Sequence, residues 1–225
     1  MSQPLVIFDL DGTLLHTAPD LLDSLNHTIS SMELAPVTFD DITYLVGSGA
    51  RVMIDKALQL RNNPVSAEEF EALFALFLTH YSASMPGRSE PYPGVLDAMA
   101  RLEDAGYALA VCTNKTEIMA HRLLELTGLM PRFKAVTGGD TFAVRKPDAG
   151  HIHGTIDMAG AHPSLAVMIG DSVNDVQAAA NAGIPSIGIP FGYSDTAMEN
   201  LGPDEIIGHY NELTPELVGR LLERV

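Results

Sequence analysis

A single cysteine, Cys112, stands in this chain of 225 residues, so no disulfide can close within it and a reducing compartment is expected. Basic residues are also scarce. Thirteen Lys and Arg face 29 Asp and Glu, a formal charge of −16, which argues against nucleic acid as a partner because that affinity rests on basic side chains meeting phosphates. No apolar run approaches the roughly 20 residues that span a bilayer, so no membrane partner is expected. The N-terminus has no basic region and its apolar run is soon broken by aspartates, unlike a signal peptide; a cytoplasmic location follows. There is no Gly-rich P-loop and no Gly-x-Ser-x-Gly elbow, and the histidines show no metal-ligand spacing. A small anionic substrate stays open, provided the acidic chain builds a local cationic focus such as a metal ion with a lysine.

What is present is a globular composition, 46% hydrophobic and 19% charged, in a length that suits one large domain or a core with an insert. Leu5-Val6-Ile7-Phe8 shows no apolar–polar alternation and reads as a strand buried on both faces. It runs straight into Asp9-Leu10-Asp11-Gly12-Thr13. Two carboxylates one residue apart, with different neighbours, can divide the work of nucleophile and proton donor. Gly12 lets the backbone turn and approach a ligand closely. The plain alternative is a strand ending in a polar turn.

From about Leu15 to Tyr81 the pattern is helical, with no convincing strand. Leu21, Leu22, Leu25, Ile29 and Met32 form one apolar stripe, and Ser66 with Glu69 is a capping-box signature for a longer helix. The Pro/Gly-rich stretch from Met85 to Gly94 suits a boundary. Beyond it, helical and strand patterns alternate to the C-terminus, which argues for a parallel sheet covered on both faces. The expected fold is α/β, a Rossmann-like parallel sheet with helices on both faces and an inserted all-helical cap. The expected division is a core of residues 1–15 and 88–225, with residues 16–87 inserted after the first strand.

Further strand ends are polar. Leu109 to Cys112 leads into Thr113-Asn114-Lys115, a hydroxyl, an amide and backbone N–H groups at a helix start, which make an anion site or simply a helix cap with a solvated lysine. Val167 to Gly170 leads into Asp171-Ser172-Val173-Asn174-Asp175, whose carboxylates suit Mg²⁺, a hard cation that takes oxygen ligands. Asp175 is equally explained as a favourable charge at a helix N-terminus. Lys146-Pro147 lies between, and alone would be a surface turn.

Taken in order, a strand with Asp-x-Asp-Gly-Thr, a strand with Thr, then Lys-Pro, then a strand with Gly-Asp-Ser-x-x-Asp resembles the haloacid dehalogenase superfamily over nearly the whole chain. Ala18-Pro19-Asp20-Leu21, Val46 to Ala50, Tyr92-Pro93-Gly94-Val95 and Gly138-Gly139-Asp140-Thr141 are most similar to its phosphoglycolate phosphatase branch. The resemblance departs at His16, where many relatives have aspartate, and at Gly150, where many have proline.

The resemblance implies a Mg²⁺-dependent phosphatase. Asp9 is implied as the nucleophile that becomes an aspartyl-phosphate, and Asp11 as the acid and then the base. Lys146 and Thr113 would orient the phosphoryl oxygens. The Asp9 carboxylate, the Asp11 backbone carbonyl and Asp171 would hold Mg²⁺, with Ser172 and Asp175 supporting them. Gly12, Thr13, Gly49, Arg51, Asn114 and Lys115 are the expected substrate contacts, Arg51 pairing with a substrate carboxylate. The expected partner is a small phosphate ester, handled by a monomer or homodimer. The alternatives are a same-fold phosphatase for a sugar phosphate, nucleotide or pyrophosphate, and a ligand-binding regulatory protein. A β-phosphoglucomutase-like enzyme is disfavoured by Leu21, which stands where those enzymes carry histidine.

Overall fold

The computed structural model describes residues 3–224, the side chains of residues 42–45 apart. Its centre is the apolar run read from the sequence. Leu5–Phe8 (β1) is wholly buried and pairs in parallel on both sides, with Ala108–Cys112 (β4) and Ala166–Gly170 (β6). Ala135–Thr137 (β5), Ser186–Gly188 (β7) and Glu205–Ile206 (β8) complete a six-stranded sheet of order β5-β4-β1-β6-β7-β8. The chain builds outward from β1 to β4 and β5, then returns to β1 and builds the other way. Ligands of open parallel sheets bind outside the carboxyl ends at such a reversal. The residues there are Asp9 after β1, Thr113 after β4 and Asp171 after β6.

Alternate residues of β1 point to opposite faces, as a pleated strand requires. Leu5 and Ile7 pack with Ile152, Ile156 and Ala178. The first two lie on Ala149–Met158 (α7) and the third on Val173–Ala182 (α8). Val6 and Phe8 face the larger cluster with Met99 and Leu102 of Val95–Asp104 (α5) and Leu123 of Glu117–Leu126 (α6). Pro215–Leu222 (α10) closes that face, opened by a Thr214 hydroxyl that accepts from Leu217 N–H. The short helix Met198–Leu201 (α9) carries no sequence signal that separates it from a turn.

Between β1 and α5 the chain forms a helical layer: Ala18–Ser30 (α1), Phe39–Ile42 (α2) continuing as a 3₁₀ turn to Ser48, Ala50–Leu60 (α3) and Ala67–Ser84 (α4). The expected capping box opens α4, with the Ser66 hydroxyl accepting from Glu69 N–H and the Glu69 carboxylate accepting from Ser66 N–H. Leu21, Leu25, Phe77 and Tyr81 continue the cluster that contains Val6 and Phe8, so this layer and the sheet share apolar packing.

The reading of Leu15 to Tyr81 as helices alone needs correction. Leu15–His16 (β2) pairs antiparallel with Glu90–Pro91 (β3), joining the segments that enter and leave the helical layer. Two-residue strands have no periodicity to read, and Pro91 lacks the N–H that would advertise a ladder. His16 is tied in here as well. The Tyr193 hydroxyl accepts from Thr17 N–H and Ala18 N–H at the start of α1, and it lies 2.8 Å from His16 Nδ1. None of the described helices is long and apolar enough to cross a membrane.

Candidate active site

At the carboxyl ends of β1 and β6, Asp9, Asp171 and Asp175 each offer a carboxylate oxygen within 4.8 Å of the others, all buried. The chain tolerates this because Lys146 lies among them. Its ammonium is 2.9 Å from Asp9 Oδ1 and donates to Asp175 Oδ1 at 2.6 Å. The lysine is itself held from behind, since its backbone N–H donates to Nδ1 of buried His151. Burial, with Lys146 adding to it, pulls the His151 pKa down to about 4, so the ring stays neutral and can accept.

Three carboxylates against one ammonium leave the cluster short of positive charge. Burial pushes Asp9 up to about 7 despite the opposing pull of Lys146, and Asp175 adds to the rise. Asp171 is likewise held well above the carboxylate range, first by burial and then by Asp175 and Asp9. Burial works against the charge on Lys146, but Asp175 and Asp9 more than offset it and keep the ammonium protonated.

The hydrogen bonds separate the carboxylates. Asp175 is fully used: Oδ1 takes Lys146, and Oδ2 accepts from Ser172 N–H and the Ser172 hydroxyl. Asp171 accepts one bond per oxygen, from the Thr13 hydroxyl and from Tyr193 N–H, so each oxygen keeps a lone pair. Asp9 Oδ1 is buried and accepts no hydrogen bond of good geometry. An oxygen-only donor set with lone pairs left on Asp171 and a charge deficit fits a small hard divalent cation.

Gly12 turns with φ +86°, and a Cβ there would lie 2.5 Å from Asp171 Oδ2, so glycine is required for both the turn and the close approach. Asp11 faces the other way. Its two oxygens accept from Lys115 Nζ at 2.9 and 3.0 Å, with both side chains about 6% exposed. Burial opposes the charge on Lys115, while Asp11 and Tyr81 raise its pKa beyond that. The ammonium also sits 4.5 Å from the centre of the Tyr81 ring.

The helical layer touches the sheet through the loop before α3. Gly47 carbonyl accepts from both Asn114 and Asn174 side-chain amides. Gly49, at φ +90°, lies so close to the Asn114 carbonyl that a Cβ would stand 3.1 Å from it. Below this loop lies a cavity of about 150 Å³, lined by Asp11, Asn114, Lys115, Tyr81, Arg51 and Arg145 among others. Thr113 is buried at the end of β4, its hydroxyl accepting from Lys115 N–H. Arg51 lines the cavity but donates both guanidinium arms to Glu71, at 2.6 and 2.7 Å.

Asp9, Lys146, Asp171, Asp175, Ser172 and Thr13 are thus brought together around one cluster, and Asp11, Lys115, Asn114, Gly49 and Arg51 around the adjoining cavity. Sequence reasoning passed over His151, Tyr193, Tyr81 and Arg145. Of these only Tyr193 has a local signal, the preceding Gly192, whose absent Cβ would strike Asp171.

Residues 6–189 match the family model described as haloacid dehalogenase-like hydrolase. The chain is 55% identical to a phosphoglycolate phosphatase of Agrobacterium fabrum over 98% of its length and 95% of that protein. It is 47% identical to a phosphoglycolate phosphatase of Mesorhizobium japonicum, over 99% of this chain and 98% of the other. The crystal structure of a predicted phosphoglycolate phosphatase from Haemophilus somnus superposes with a TM-score of 0.88 at 28% identity, covering 95% of this chain and 97% of that one.

Proposed function

The chain belongs to the haloacid dehalogenase-like hydrolase family, and from that membership we propose that it is a Mg²⁺-dependent phosphatase that converts phosphoglycolate to glycolate and phosphate. The observation that carries the reading is the buried Asp9–Lys146–Asp175–Asp171 cluster at the sheet's reversal point. It joins a carboxylate nucleophile, a fixed ammonium and a divalent-cation site in one compact group. The substrate is the one for which relatives that match along almost the whole chain are named. Residues 1–15 and 88–225 serve as the catalytic unit, with residues 16–87 covering it. The single cysteine, buried as a free thiol, suits a cytoplasmic enzyme.

In this mechanism an Asp9 oxygen attacks phosphorus. An aspartyl-phosphate bond forms as the bond to the ester oxygen breaks, and Asp11 delivers a proton to the departing glycolate oxygen. Asp11 then takes a proton from the water that attacks the phosphoryl group, which releases phosphate and restores Asp9. Lys146 and the Thr113 hydroxyl neutralise and orient the phosphoryl oxygens, each donor contributing roughly 3 kcal/mol to the transition state. Asp9, Asp171 and the Asp11 carbonyl would hold Mg²⁺, which when bound would supply further positive charge to the phosphoryl group. Asp175 keeps Lys146 and the Ser172 turn in place. The docked Gly47–Gly49 loop helps keep bulk water out of the cavity.

The test is phosphate release from phosphoglycolate with Mg²⁺ and with excess chelator, beside sugar phosphates, nucleotides and pyrophosphate. Phosphoglycolate is expected to give the highest kcat/KM, and chelation to abolish it. Preference for another ester would reassign the substrate while leaving the chemistry intact.

The raised carboxylates make a second prediction. Asp9 binds its proton more tightly folded than unfolded, so its contribution to stability is present below about pH 4 and is lost as pH rises through about 7. Cation binding competes with those protons. The rise in Tm caused by saturating Mg²⁺ is therefore expected to be larger at about pH 8 than at about pH 5.5. Equal shifts at both values would mean that these carboxylates do not hold the ion.

A further inference from the structure

Asp11 cannot donate to a leaving group while both of its oxygens are committed to Lys115. Something in the bound state must take over that ammonium. In phosphoglycolate the carboxylate oxygens lie within roughly 3–4 Å of the ester oxygen, because one methylene separates them. If Asp11 reaches the ester oxygen, the carboxylate arrives beside Asp11 and within reach of the cation now bound there. Arg51 has both guanidinium arms on Glu71, and Arg145 is exposed.

A second observation lies on the same cavity wall. Tyr81 is 1% exposed and lines the cavity, and the Lys115 ammonium is the polar group that interacts with its hydroxyl. A ligand that draws this ammonium toward itself meets the same buried hydroxyl, which can then donate to it. Tyr81 comes from α4 of the helical layer and Lys115 from the end of β4, so a group held by both would tie the two layers together.

We infer that Lys115 and Tyr81 form the subsite for the substrate's carboxylate, and that this carboxylate draws the Lys115 ammonium away from Asp11. Resting on the phosphoglycolate reading above, the inference says how that substrate would be told from other small esters. The carboxylate gains a charge-assisted bond from Lys115 and a hydroxyl bond from Tyr81, and Asp11, freed only when such a group is present, can then take up from water the proton it gives to the leaving oxygen. An ester without a carboxylate leaves Lys115 on Asp11.

The test compares phosphoglycolate with isobutyl phosphate, whose two methyl groups stand where the carboxylate oxygens would be. The readout is the ratio of the two kcat/KM values, which a general loss of folding or closure does not move. Lys115→Met is expected to lower the ratio about 10- to 100-fold, and Tyr81→Phe about 3- to 10-fold. Lys115→Arg should retain part of the preference, since it keeps the charge. An unchanged ratio in folded Lys115→Met overturns the inference, as does loss of the ratio in Arg51→Ala or Arg145→Ala alone. If Lys115→Met does not fold, Lys115→Arg and Tyr81→Phe decide it by the same ratio. A wild-type enzyme with no preference for phosphoglycolate over isobutyl phosphate refutes the substrate reading itself, before any variant is made.

Discussion

Asp9→Asn is expected to reduce turnover by roughly 10⁴-fold or more, and to do so without unfolding the protein. The amide matches the carboxylate in shape but cannot attack phosphorus to form an acyl phosphate, so no intermediate accumulates. The environment argues that the substitution is tolerated. Burial already holds Asp9 up to about 7, which means that its ionised form is disfavoured inside the fold. A neutral amide removes that burden, and Lys146 keeps Asp175 as a partner. In Mg²⁺-free buffer at about pH 8 the variant should therefore be at least as stable as the wild type by urea unfolding. Phosphate release measured on fresh protein, checked by mass spectrometry for reversion of the amide, gives the catalytic result. Substantial activity in a variant verified to be free of that reversion would remove Asp9 as the nucleophile.

Lys146→Met should damage both function and fold. Methionine has similar length and packs well, so the change isolates the charge. On the proposed mechanism, removing this oriented cation costs roughly 100-fold or more in kcat. It also leaves Asp9 and Asp175 facing each other, 2% and 1% exposed, with no positive group between them. Stripping the partner from a buried ion pair costs about 3–5 kcal/mol. The sign with pH is specific. At about pH 8 the carboxylates must ionise unpaired or bind a proton, whereas at about pH 5 Asp9, with its pKa raised to about 7, is already largely protonated. The deficit in unfolding free energy relative to wild type should accordingly shrink on acidification, and Mg²⁺ should restore part of it at the higher pH. A variant as stable as wild type in alkaline buffer without Mg²⁺ would show that Lys146 does not carry the charge balance of the cluster.

Much of this protein was determined by short-range pattern. The unalternating Leu5–Phe8 run specified a strand buried on both faces and therefore a central place in a parallel sheet. Ser66 with Glu69 specified where α4 begins, because a capping box is a contact between residues three apart. The order of polar strand ends, Asp9, Thr113 and Asp171, identified the groups that a parallel sheet gathers at one edge.

Which of these groups touch was decided only by the tertiary structure. Lys115 meets Asp11 across 104 residues of chain, and Lys146 meets Asp175 across 29. No periodicity links such pairs; they follow from β4 and β6 flanking β1 and from the crossovers that carry them there. The Tyr193 hydroxyl at the start of α1, the β2–β3 ribbon and the bond of Arg51 to Glu71 are of the same kind. Each joins segments whose local sequence is ordinary. Residue types state what chemistry a position can offer, but in a sheet whose strand order departs from chain order, neighbours in space are set by topology.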